Sequence, residues 1–308
     1  MEIIMRLPDI LAQAFSISTI SQGLLWSMMA LGVYLTYRVL DIADLTVEGS
    51  FPLGAAVAAS LIDGGRNPYF ALLMATIAGM LAGVVTGLLH TKLKIPALLA
   101  GILSMIALYS INLHVMGKAN VSLLRMDTVY TPFMNMGLGK NYAILAAGLV
   151  FTIFFIIVLY WFFGTEIGAA IRATGYNQQM IRAQGVNTDV TIILGLLLSN
   201  GLVAFSGALI AQNNGFADVG MGTGTIVIGL ASVIIGEVLF GTRSFKNWLI
   251  SVVLGSIVYR VVVAFVLGCG MNPNDLKLFT AIIVAIALSM PLLKKKIKSA
   301  MASAKEAN

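Results

Sequence analysis

The sequence predicts an all-α integral membrane protein of about nine transmembrane helices, with short and broken helices in an inverted repeat. Three observations predict it. Of 308 residues, 59% are hydrophobic and 10% charged, whereas soluble domains are about a quarter charged and under half apolar. Apolar runs recur along nearly the whole chain, most of them close to the ~20 residues that cross a bilayer core. Two Ala-Asp steps, Ala43-Asp44 and Ala217-Asp218, interrupt those runs in similar surroundings. A segment in lipid must satisfy its own backbone, which selects helices. The alternating pattern of a membrane barrel is missing from the sequence.

The elements follow in order. "MEIIMRLPDILAQAF" carries Glu2, Pro8 and Asp9 and lacks the basic, apolar, small-residue order of a cleaved signal. Residues 1–16 read as an interfacial helix, and the first span as the targeting element. Spans are expected at 17–40, 51–62, 69–91, 96–116, 142–163, 191–212, 223–240, 248–267 and 278–293. Residues 164–190 form the longest polar loop, and the basic tail 294–308 follows the last span. The whole chain, 1–308, reads as one domain. With the tail placed inside, twelve Lys and Arg fall in inside segments and six in outside ones. That matches the positive-inside rule and puts the N-terminus outside and the C-terminus in the cytoplasm. Trp161 and Trp248 then mark the inner interface, and Tyr69 and Tyr142 the outer one. The single cysteine, Cys269, excludes an internal disulfide.

The first unit of the repeat holds "LDIADLTVEGSFPLG" and the second "NNGFADVGMGTGTIVIGLASV". Each is an apolar span, an Ala-Asp step, Gly/Ser/Thr-rich backbone and a short small-residue span. The topology gives the two units opposite senses, as in transporters whose broken helices meet near the midplane. A carboxylate at mid-bilayer costs roughly 2.5–3.5 kcal/mol, so Asp44 and Glu48 are expected to face protein or water. Asp44 is suited to cap the following helix, with Glu48 and Ser50 one turn on. Asp44, Thr46, Glu48, Ser50, Asn200, Asn214, Asp218 and Arg260 are the pathway candidates. Structural capping, an ion pair and interhelical hydrogen bonding are the competing roles. Arg260 is expected to pair with Asp218 first and Asp44 second, or to take a substrate carboxylate. Met28 and Met29 suit core packing or a soft apolar path. His90 and His114 lie apart, without metal-ligand spacing.

"GTEIGAAIRATGYNQQMIRAQGVNTDV" has apolar faces at Ile167, Ala170, Ile171, Met180 and Ile181, and glycines at 168, 175 and 185. It reads as two short helices joined around Gly175-Tyr176-Asn177, lying on the membrane face. The plain alternative is a solvated connector.

Three stretches carry a resemblance to a known family. They are "TEIGAAIRATGYNQQMIRAQGVN", "IADLTVEGSFPLGAAVAA" and "GMGTGTIVIGLASVIIGEVLFGTRSF". In their order along the chain they resemble the permease subunits of ABC importers for branched-chain amino acids and ribose, across almost the whole chain. Glu48, Glu237 and Thr242 depart from that family's pattern. The likeness is nearest to a branch associated with aromatic amino acids. It implies a type II-like importer permease that is itself no enzyme. It also implies a coupling loop that includes Glu166, Gly168, Arg172, Gly175, Asn177, Arg182 and Gly185. The implied partners are an ATP-binding cassette ATPase, an extracytoplasmic solute-binding lipoprotein, a second permease copy as a homodimer, and the lipid bilayer of a bacterial inner membrane. Nucleic acid is not among them. ATP and Mg would be used by the ATPase partner, and no cofactor is expected on this chain. The sequence contains no Gly-x-x-x-x-Gly-Lys-Ser/Thr loop. The rival is an ion-coupled secondary transporter using Asp44, Glu48 and Asp218 as ion sites. A membrane enzyme finds no convergent nucleophile, base or metal set.

Overall fold

The computed structural model describes residues 7–272, 275, 278–282, 285 and 289. The tail and much of the ninth expected span lie outside the described residues. The helices are α1 (Leu7–Ala14), α2 (Ile17–Tyr34), α3 (Val47–Asp63), α4 (Pro68–Thr91), α5 (Ala97–Met116), α6 (Thr131–Asn135), α7 (Lys140–Gly164), α8 (Glu166–Tyr176), α9 (Gln178–Ala183), α10 (Thr188–Asn214), α11 (Thr225–Phe240) and α12 (Phe245–Gly268). A π turn, Leu35–Val39, closes α2, and a 3-10 turn, Val219–Gly222, precedes α11. Among the described residues, seven helices are long and apolar enough to cross a membrane. The expected nine is not reached, because α3 has 17 residues and the ninth span is largely outside the description. One departure from helix is an antiparallel pair, β1 (Asn120–Ser122) with β2 (Phe216–Asp218), in register Val121 to Ala217.

The segment 117–139 and the two strands mark one end of the bundle, here the sheet end. The helices α8 and α9 mark the other, the loop end. The axis is α10, whose best apolar window is 78% buried, against 28% for α5. Its surroundings follow from small residues. Ala75, Gly79 and Gly83 recur every four positions on α4, and a β-carbon on either glycine would overlap α10 backbone. Small residues at that spacing let helix backbones approach closely in lipid. Toward the sheet end the core gathers Leu25, Phe51, Val129, Tyr130 and Ile210. Toward the loop end it gathers Tyr34, Leu40, Phe163, Ile171 and Val252.

Residues 40–46 are the first break, non-helical and largely buried. From there α3 runs to the sheet end, where Ile62 and Asp63 line a cavity with Met126. Its partner in the second unit, α11, runs to the loop end, where Glu237 meets Arg38. The two short helices therefore start side by side and diverge. At α3, Pro52 removes one backbone donor and leaves the Glu48 carbonyl without its helical partner. Gly222 packs directly over that carbonyl.

Candidate functional site

Asp44 is 2% exposed. Its Oδ1 accepts from the Thr46 backbone N–H at 2.9 Å, and its Oδ2 from Asn200 Nδ2 at 2.8 Å. Asn200 in turn accepts from the Ser50 hydroxyl at 2.6 Å and donates to the Leu196 carbonyl at 3.0 Å. A second chain runs from Thr46 Oγ1 to Thr86 Oγ1 at 2.8 Å and on to Ser104 Oγ at 2.7 Å. Asp44, Thr46, Ser50 and Asn200 thus form one buried network about halfway along α10. Every carboxylate oxygen in it meets a protein donor. The carboxyl group is held by hydrogen bonds instead of water, which is what burial demands.

The other pathway candidates lie elsewhere. Glu48 Oε1 accepts from the Gly224 N–H, the residue opening α11, at 3.0 Å. It therefore caps the second unit's short helix. Asp218 accepts from Gly220 N at 2.7 Å and from Asn120 Nδ2 at 3.3 Å, at the strand pair. Asn214 is exposed at the end of α10, beside Ser18, Gln22 and Lys140. Arg260 pairs with neither Asp218 nor Asp44. Its guanidinium lies 4.2 Å from the Trp26 ring centroid, and Trp26 stacks on Phe51 at 5.2 Å. Its expected ion pair is replaced by a cation–π contact. Met28 and Met29 are fully buried in the core with Leu25, Val33 and Phe51.

Where α3 and α11 begin, a cavity of about 510 Å³ opens, lined by Glu48, Pro52, Met105, Tyr109, Asn112 and Thr223 among others. Asn112 is fully buried. It donates to the Gly49 carbonyl at 3.3 Å, while its Oδ1 has no partner among the described residues. Sequence reasoning missed Asn112, Ser104 and Thr86. The available signal was that 104 and 112 lie eight apart on one face of α5.

At the loop end, Thr165 and Asn177 cap α8 and α9 through Gly168 N and Met180 N. Gly175 packs so tightly on the π turn that any β-carbon would overlap the Val39 carbonyl. Thr174 Oγ1 meets Thr191 Oγ1 of α10 at 2.8 Å, and Ile171 and Ile181 are buried. Both arginines are engaged within the chain. Arg172 stacks over the Phe245 ring at 5.3 Å, and Arg182 donates to Thr188 Oγ1 at 2.5 Å. Gly185 supplies a left-handed turn, φ 85°, and Glu166 is exposed in the first turn of α8. The outward face carries Tyr176, 95% exposed, and Met180, with Gln179 and the exposed Arg172 and Arg182. Trp248 is half-buried at the loop end. Its indole donates to Glu237 at 2.9 Å, and Arg38 grips the same carboxylate from the π turn that closes α2.

Residues 16–289 match the family described as branched-chain amino acid transport system, permease component. The chain belongs to this family. It is a multi-pass membrane protein and the permease component of an ABC transporter. A tyrosine transport system permease protein of Clostridioides difficile is 43% identical over 282 residues, 92% of this permease and 93% of the relative. Protein RP368 of Rickettsia prowazekii is 35% identical, covering 89% and 96% respectively. An autoinducer 2 import system permease of Salmonella paratyphi B is 26% identical over 74% of this permease and 65% of its own length. Two departures from the family pattern noted in the sequence, Glu48 and Glu237, are the acids that tie α11 to the first unit at its two ends.

Proposed function

We propose that this permease conducts an aromatic amino acid inward, driven by ATP hydrolysis on a separate ATPase. An extracytoplasmic binding lipoprotein delivers the solute, and two copies of the chain enclose the path. ATP and Mg bind the ATPase, and this chain binds no cofactor. The complex sits in the bacterial cytoplasmic membrane, with the loop end and the C-terminus inside and the N-terminus outside. Arg172, Arg182, Arg243, Lys246, Lys92 and Lys94 crowd the loop end, which supports that orientation. The 43% identity to a tyrosine permease supports the cargo.

One observation carries the mechanism: Gly175 seated on Val39. The loop cannot move without displacing the π turn that feeds the break. A push by the ATPase on Tyr176, Gln179 and Met180 is thereby passed to residues 40–46 and to the start of α3. Asp44 acts as the brace at that pivot. The cavity at Glu48 and Asn112 is the solute's way past the paired helix starts, an arrangement supported by the opposed short helices of inverted-repeat transporters.

The test is purification followed by transport. A tagged chain is expected to bring down an ATP-binding cassette subunit, and proteoliposomes of the assembled complex to accumulate L-tyrosine only when ATP is supplied. Uptake by the chain alone under a sodium or proton gradient overturns the reading. Met180→Glu is expected to retain membrane insertion and lose the ATPase.

A further inference from the structure

We propose that the cavity between α7, α8 and α12 binds the phosphate-bearing headgroup of an anionic phospholipid. It encloses about 640 Å³, and its lining includes Trp161, Thr165, Arg172, Ser244, Phe245 and Lys246. No carboxylate is among the lining residues. Within the described residues the ion pairs are Arg38 with Glu237 and Asp189 with Lys92 and Arg182. Arg172 and Lys246 therefore bring two positive charges to one hollow with no acid opposite. The Phe245 ring holds the Arg172 guanidinium in place.

The position selects a lipid. Ile153, Phe154, Ile157 and Trp161 form an outward stripe on α7, between 53% and 71% exposed. Such a stripe faces acyl chains, and the cavity sits where it ends. A phospholipid lying along α7 puts its phosphate level with Arg172 and Lys246. Basic pockets at the ends of membrane helices take anionic headgroups in this way, and each nearby Lys or Arg contributes about 1 kcal/mol, roughly fivefold in affinity. Tyr176, Gln179 and Met180, assigned above to the ATPase, do not line the cavity. The lipid would fasten the root of α8 to α7 and α12. The inference goes beyond the transport reading and does not depend on it.

The experiment is native mass spectrometry of the full chain released from nanodiscs of either phosphatidylglycerol or phosphatidylcholine. One retained phosphatidylglycerol per chain is expected, with little phosphatidylcholine. Lys246→Gln is expected to lower retention about fivefold, and Lys246→Arg to keep it. Lys94→Gln removes the same charge at the loop end outside the cavity and is expected to change nothing. Equal retention of the two lipids overturns the proposal. So does an unchanged Lys246→Gln, or an equal loss in Lys94→Gln. Displacement of the lipid by millimolar inorganic phosphate reassigns the site to a soluble anion and overturns it as a lipid site.

Discussion

The two breaks share one local device and differ in everything around it. Asp44 Oδ1 accepts the N–H two residues on, at Thr46, and Asp218 Oδ1 does the same at Gly220. The first is sealed between α3, α4 and α10, with an amide on its other oxygen. The second is part-exposed at the sheet end, where a three-residue strand pairs with β1. The same acid in the same turn is thus a fixed brace in one place and a rim feature in the other. Surroundings, not the motif, set what a buried charge is worth.

Substitutions that separate the two follow from this. Asp44→Ala leaves one of the two Asn200 amide hydrogens and the Thr46 N–H without an acceptor, at a cost of about 3 kcal/mol. A large fall in yield and in thermal midpoint in detergent is expected, and a wild-type melting curve would remove the brace. Gly175→Val is expected to cost at least tenfold in ATP-driven uptake, because the side chain must displace Val39. Full uptake in that variant would break the link between loop and pivot. Glu237→Gln loses the paired contact with Arg38, which is 39% exposed. About 1 kcal/mol is expected from chemical denaturation, with Arg38→Gln equivalent and the double substitution no worse. Asp218→Ala is expected to stay within about 1 kcal/mol of the parent in the same assay. A loss as large as that of Asp44→Ala would erase the contrast.

Much of this fold is legible in the sequence because lipid imposes length and polarity on each span. The first break is legible for the same reason, since three acids within eight residues have no place in hydrocarbon. The pairings are not. Arg38 and Glu237 lie 199 residues apart, and nothing local announces their contact. Charge alone points Arg260 at a carboxylate, but its side of α12 meets Trp26 instead. The docking loop is readable as amphipathic. Yet its exposed arginines are engaged within the chain, Arg172 on Phe245 and Arg182 on Thr188, and only the packing reveals that Tyr176 and Met180 face out.

Asp44 and Asn200 are separated by 156 residues. A ribosome adding about 5–20 residues per second needs roughly 8–30 s to travel that distance. During this interval the Asp44 carboxyl group has the local Thr46 N–H but not yet the Asn200 amide. Biogenesis therefore contains a waiting period, and the span that ends it is also the one around which everything else is wrapped.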